Sequence, residues 1–300
     1  MSELPEQPSP RTATGLAALW EAMRPSHWVK NGFVVAPIVF AGKILDPNAW
    51  WRCILAVIVF NLLSSAVYLI NDICDRDSDR LHPDKRNRAI ASGRLSVGLA
   101  GFTAAVLLVT GLLLAVIPAL PYLQVVFERR GWNVEFLPNV FGSLPANEHQ
   151  PLSGIGLLIW AGVYFLLNFA YSIWLKRYTI IDVIVVAFGF VLRAMAGAAA
   201  IAVPTSPWLV ICTFTFCLFL ALAKRRAELI ELMPEQAKAI RRVHRVYRVE
   251  DLDFMLTVST AIAIMSYCLY CLAPRTILRF GSAHMIWTIP LVLYGIFRFV

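Results

Sequence analysis

Apolar residues in this chain come in long blocks separated by short polar connections. Strongly apolar stretches lie near residues 28–45, 51–71, 95–118, 152–175, 180–203, 207–223, 253–272 and 285–300. Most approach the length of about 17–25 residues that a helix needs to cross a bilayer core. A helix also satisfies its own backbone at that depth, which an open strand cannot. The pattern predicts an all-α fold, a polytopic membrane bundle of eight to nine transmembrane helices around a cytoplasm-facing cavity. Residues 1–23 read as a cytoplasmic tail and 24–300 as the transmembrane domain. The tail is polar and rich in Pro and Ala, with no compact apolar region, so no cleavable leader is expected. The long connection 121–150 carries Pro121, Pro138 and Pro145 and reads as an extracytoplasmic loop.

Composition gives the same class. Hydrophobic residues make up 59% of the chain and charged residues 15%, with a mean hydropathy of +0.67, which excludes an ordinary soluble domain. The net charge of +8 points to membrane orientation and phosphate binding. With no basic soluble domain, no nucleic acid is expected as a partner. Cys53, Cys74, Cys212, Cys217, Cys268 and Cys271 all lie in or beside apolar segments. Cys268-x-x-Cys271 therefore reads as packing within a helix, not as a redox or zinc pair.

Lys and Arg are concentrated in the connections 72–94, 176–179 and 224–252. The opposite side carries only Lys43, Arg52, Arg129, Arg130, Arg275 and Arg279. The imbalance places the N-terminus and the three basic connections in the cytoplasm.

The candidate chemistry sits at that side. Asn71-Asp72-x-x-Asp75-x-Asp77-x-Asp79 follows the run Ile54 to Ile70, which is interrupted by Asn61, Ser64 and Ser65. If the helix continues, Asp72, Asp75 and Asp79 fall within an arc of roughly 60°, and Asp77 points about 140° away from Asp72. Converging carboxylates repel unless a cation lies between them. Hard oxygen ligands suit Mg2+, which commonly shares its shell with substrate phosphates. Lys85, Arg86 and Arg88 follow closely enough to clamp a phosphate. Positive charge that only sets topology is the alternative for them.

Arg24-Pro25-Ser26-His27-Trp28-Val29-Lys30-Asn31 forms a basic, aromatic lead-in to the first span. Trp28 suits an interfacial belt; Lys30 and Asn31 are open to either anchoring or ligand contact. A sparser polar group comprises Tyr171-Ser172, Lys176-Arg177 and Asp182. Arg193 lies within about 20° of Asp182 on the same helical face and roughly 16 Å further along. An arginine within an apolar span faces a partner or a polar cavity, so an Arg–carboxylate pair or a ligand contact is expected there. Gly189 and Gly197 flank it by one turn and permit close approach. Lys224-Arg225-Arg226 and Glu228 close the sixth span, where Lys224 and Glu228 also suit an i,i+4 pair. Arg241, Arg242, His244, Arg245 and Arg248 read as an amphipathic surface on anionic lipid.

The Asn71-Asp72-x-x-Asp75-x-x-x-Asp79 pattern resembles the first aspartate-rich motif of the UbiA superfamily of intramembrane prenyltransferases. Tyr171-Ser172-x-x-Leu175-Lys176 with Asp182 is similar to its second region. Arg24-Pro25-x-x-Trp28-Val29-Lys30-Asn31, Asp79-Arg80-x-His82-Pro83-x-Lys85-Arg86 and Lys224-Arg225-x-x-Glu228 most resemble the branch that transfers phosphoribosyl groups to polyprenyl phosphates. Departures from the pattern are Ala89, where the branch has proline, and a single clear acid in the second region. The superfamily usually has nine spans; eight are counted here, with a ninth either absent or beyond Val300.

The resemblance implies transfer of a phosphoribosyl group from 5-phosphoribosyl diphosphate to a polyprenyl phosphate, with Mg2+ held by Asp72, Asp75 and Asp79. It also implies catalytic roles for Lys176 and Asp182. Substrate contacts are implied for Lys30, Asn71, Lys85, Arg88, Tyr171, Arg193, Lys224 and Arg225. A prenyltransferase acting on a prenyl diphosphate, and a cation or lipid transporter, are the alternatives. Self-association as a homo-oligomer is left open.

Overall fold

The computed structural model describes residues 15–82, 85–120, 155–231 and 248–298. Most of the tail, the 121–150 loop and the basic run Arg241 to Arg245 lie outside the described residues. The architecture is all-helical among the described residues. Among the described residues six helices are long and apolar enough to cross a membrane, and the protein is a multi-pass integral membrane protein.

Helix α1 (Leu16–Met23) ends at Arg24, whose left-handed backbone, φ 54° and ψ 61°, turns the chain into a 3-10 helix, Pro25–Val34. A five-residue helix α2 (Ala36–Phe40) follows. The continuous first span expected near 28–45 is thus a broken lead-in. Ten residues is long for 3-10 geometry, whose side chains eclipse every third position. Tertiary bonds on one stripe hold it: Trp28 Nε1 donates to Ser65 Oγ at 3.1 Å and Asn31 Nδ2 to Asn61 Oδ1 at 2.7 Å. On the same stripe, buried Val34 abuts Gly197, where an added Cβ would overlap the Val34 carbonyl. Ser26, Val29 and Gly32 form an exposed stripe. The third stripe, His27, Lys30 and Phe33, is half-buried.

Helix α3 (Pro47–Cys74) starts on an Asp46 cap, whose carboxylate accepts from the Asn48 and Ala49 amides, with Pro47 in the first turn. It stops at Asp75 (φ −92°, ψ 0°) and restarts as the short α4 (Arg76–Arg80). The aspartate motif therefore straddles a break, not the continuous helix that the expected register assumed. Helices α5 (Val97–Val116), α6 (Gly156–Ile173), α7 (Ile181–Ala200), α8 (Pro207–Glu231) and α9 (Val249–Leu272) supply the other spans. The last apolar stretch is a short 3-10 turn followed by α11 (Ile289–Phe297), after the brief α10 (Pro274–Phe280).

Two spans form the interior. In α3 and α7, 61% and 67% of the apolar window is buried, against 22% to 39% in the others. Val34, Phe60, Leu63, Leu157, Tyr164, Leu192 and Ala196 make one core between the lead-in, α3, α6 and α7. Val183, Phe219, Leu222, Leu252 and Leu256 make another between α7, α8 and α9. The chain direction brings the C-termini of α3, α6 and α8 and the N-termini of α5, α7 and α9 to one end. The functional side chains gather there.

Candidate active site

At that end every motif aspartate except Asp77 meets a cation from elsewhere in the chain. Asp72 and Asp79 are both buried. Asp72 Oδ1 accepts from Arg24 Nη2 at 2.5 Å and from Arg88 Nη1 at 3.2 Å. The same Arg88 nitrogen donates to Asp79 Oδ2 at 2.7 Å. Asp75, displaced by the helix break, instead accepts from Lys176 Nζ at 2.5 Å and from Asn71 Nδ2 at 3.2 Å. Lys176 also reaches Asn71 Oδ1 at 3.4 Å. Asp77 projects outward with its side chain 91% exposed.

The donor set fits a hard cation in chemistry and only in part in geometry. Asp72 and Asp79 already place oxygens around one positive nitrogen, whereas Asp75 lies on a different cation. Among the described residues no group of three or more His, Cys, Asp or Glu side chains is gathered to hold a metal ion. Two carboxylates completed by substrate phosphates and water are nonetheless a usual Mg2+ shell.

The second region assembles around Arg225 of α8. Buried Asp182 accepts from Arg225 Nη2 of α8 at 2.5 Å, and Arg225 Nη1 also donates to Glu228 at 2.9 Å. Tyr171 is half-buried in the last turn of α6. Lys224 is 75% exposed and 3.8 Å from Glu228. Arg226 pairs with Asp253 at the start of α9. Lys85 is half-buried in the connection that carries Arg88.

Arg193 is not the partner of Asp182. Its Nε donates to Asn31 Oδ1, its Nη1 to the Gly189 carbonyl and its Nη2 to Tyr164 Oη, each at 2.8 Å. The guanidinium also lies 4.7 Å from the Tyr164 ring centroid and 5.1 Å from that of Phe190. It binds the lead-in, α6 and α7 into one buried polar network.

Arg24 is the residue that motif spacing did not single out as part of the site. Its signal was the Arg24-Pro25 step, which starts the 3-10 helix and aims the guanidinium at Asp72. His27 stands beside it, its ring edge-on to Tyr68 at 5.4 Å. Burial, with Lys30, Arg24 and Lys224 nearby, pushes the His27 imidazole down to about 4. Glu21, Arg24, His27, Asp72 and Arg88 line a cavity of about 270 Å³.

Residues 33–127 match the UbiA prenyltransferase family. A decaprenyl-phosphate phosphoribosyltransferase from Corynebacterium glutamicum is 31% identical over 266 residues, 88% of this chain and 69% of the relative. The chain belongs to the UbiA prenyltransferase family. The Mycobacterium tuberculosis decaprenyl-phosphate phosphoribosyltransferase is likewise 31% identical, over 85% of this chain and 74% of its own. The fold matches a UbiA homologue from Archaeoglobus fulgidus solved with DMAPP and Mg2+, with a TM-score of 0.64 at 16% identity. That match covers 92% of this chain and 86% of the other. A digeranylgeranylglyceryl phosphate synthase matches with a TM-score of 0.58 over 95% of both chains, at 16% identity. UbiA-family membership thus places the paired acids and bases in a membrane-embedded transferase.

Proposed function

We propose that this UbiA-family transferase moves a 5-phosphoribosyl group from 5-phosphoribosyl diphosphate to a polyprenyl phosphate and releases diphosphate. The site would face the cytoplasm from the plasma membrane. The observation that carries the reading is the gathering of separate cationic clusters, Arg24, Arg88, Lys176 and Arg225, on buried or half-buried acids at one end of the bundle. Relatives named for this reaction share most of the chain's length. The three motifs that distinguish the branch all contribute side chains to that end.

In this reading the acceptor phosphate oxygen forms a bond to the anomeric carbon as the bond to diphosphate breaks. Positive charge develops on the ribose ring and negative charge on the departing diphosphate. Lys176, Arg88 and Lys85 would neutralise that leaving group, so the chemistry depends on positioning and electrostatics. A phosphate monoester is already anionic near neutral pH, so no strong general base is needed. Asp72 and Asp79, with Asp75 as a third carboxylate, would hold Mg2+, which neutralises diphosphate when bound. Asn71, Tyr171, Lys224 and Arg225 would contact the substrates, with Asp182 fixing Arg225.

Membranes containing the protein, incubated with phosphoribosyl diphosphate, Mg2+ and polyprenyl phosphate, should yield a phosphoribosylated lipid by mass spectrometry. Diphosphate release that instead requires a prenyl diphosphate and an aromatic acceptor would overturn the assignment in favour of prenyl transfer.

A further inference from the structure

The connection between α6 and α7, residues 174–180, has two sides. Backbone bonds fold it tightly: the Arg177 amide donates to the Trp174 carbonyl and the Tyr178 amide to the Leu175 carbonyl, each at 3.1 Å. Its inner side reaches the site. Lys176 Nζ donates to Asp75 Oδ1 at 2.5 Å. The Tyr178 carbonyl accepts at 3.2 Å from the amide of Asp182, the acid that holds Arg225.

The outer side is apolar and aromatic. Trp174 is 56% exposed and Tyr178 44% exposed, yet the two are fixed on each other. The indole Nε1 donates to Tyr178 Oη at 2.9 Å, and the rings stand edge to face with centroids 5.5 Å apart. The pair terminates two exposed stripes of helical spacing, Leu166, Phe169 and Ile173 on α6 and Ile181, Ile184 and Phe188 on α7. On a multi-pass membrane protein such contiguous apolar stripes face lipid. Trp and Tyr at their ends suit the headgroup layer, which satisfies an apolar ring and a polar tip together. Arg177 is exposed between them and adds a charge that anionic headgroups attract.

The connection also holds a strained residue. Ile180 has φ 70° and ψ −45°, which a β-branched residue adopts only where its surroundings enforce it. Lys176 and Asp182 fix the chain from the inner side, and the aromatic pair is placed to fix it from the outer side.

We propose that Trp174 and Tyr178 seat this connection in the headgroup layer, and that this contact with the bilayer surface holds Lys176 at Asp75. The seat is independent of which substrates the transferase uses.

Two measurements on the purified full chain in phosphatidylcholine vesicles test it. The emission of Trp174 is read as the difference between the parent and Trp174→Phe. Lipids brominated near the headgroup end of the acyl chain should quench that difference. Quenching by aqueous iodide alone overturns the seat, as does quenching by neither, which would show another protein surface over the pair. The hold on Lys176 is read by mass spectrometry, as its rate of acetylation by a water-soluble amine reagent relative to that of exposed Lys224. Trp174→Ala should raise this ratio roughly fivefold or more, as expected when one strained residue is released. General loosening would leave the ratio unchanged, and an unchanged ratio overturns the link to Lys176. Tyr178→Ala provides the same comparison if thermal melting shows that Trp174→Ala does not fold. Neither readout uses turnover, so failure of the phosphoribosyl assignment would leave both results standing.

Discussion

Asp72 and Asp79 meet on a single nitrogen, Arg88 Nη1, at 3.2 and 2.7 Å. The two carboxylates stand seven positions apart in the chain, and a helix break lies between them. The arginine that bridges them belongs to the following connection, so the acidic motif and its basic continuation form one unit. Removing that bridge leaves Asp79 buried without its cation, while Asp72 keeps Arg24. Arg88→Gln should lower unfolding free energy by about 1–3 kcal/mol, read as a depressed melting temperature in detergent. Arg88→Lys should recover only part, because one ammonium replaces a planar fork.

Asp77 and Asp79 provide an internal control. Asp77 is 91% exposed and Asp79 2% exposed at the side chain. Asp77→Asn should leave turnover within about twofold. Asp79→Asn should reduce it by on the order of 100-fold and raise the Mg2+ concentration needed for half-maximal rate. Metal-titration kinetics on both variants check the pair. Equal losses would show that Asp79 has no particular place in the site.

Lys176 links the second motif to the first through Asp75 and Asn71. Lys176→Gln should raise the donor KM or lower kcat by roughly 10- to 150-fold. Asp75→Asn should lose less than Asp79→Asn, because its carboxylate lies outside the shared pair. Steady-state kinetics with varied phosphoribosyl diphosphate separate the effects.

Gly197 is required by contact, not by backbone angle. A methyl group at this position would overlap the Val34 carbonyl, so Gly197→Ala should push the lead-in away from α7. A loss of about 1–3 kcal/mol is expected, with the Asn31–Arg193 bond loosened. Thermal unfolding and hydrogen exchange at residues 25–34 would report it.

His27 gives a pH signature. Its folded value is about 4 against an ordinary 6.5, so between these limits the unfolded chain binds more protons. Stability should therefore fall as pH drops from 6.5 towards 4, and level off below. Melting temperatures across this range should show a shallower decline in His27→Gln. Identical profiles would remove His27 as the source.

Much of the fold is visible in the apolar pattern, because lipid-crossing helices advertise themselves by length. The stretches read near 51–71, 95–118 and 180–203 correspond to α3, α5 and α7 with small shifts at their ends. The polar interruptions Asn61, Ser64 and Ser65 also had a meaning that local reading could not supply. They receive Asn31 and Trp28 from the lead-in. What spacing could not reveal was partnership between elements. A helical wheel puts Arg193 on the same face as Asp182, but α8 approaches with Arg225 and takes the acid. Nor does periodicity announce a ten-residue 3-10 helix, since tertiary bonds to α3 and α7 maintain it against its own preference.

The seating of the lead-in on α7 also has a consequence for synthesis. Asn31 and Arg193 are 162 residues apart, so the lead-in docks on a span made much later. At about 5–20 residues per second, that separation is roughly 10 to 30 s of translation. During this interval Asn31 and Trp28 can already meet α3, but their register against Gly197 must wait. The bundle's N-terminal edge therefore closes late, after α7 has entered the membrane, and nascent chains stopped before residue 197 should leave residues 25–34 open to protease.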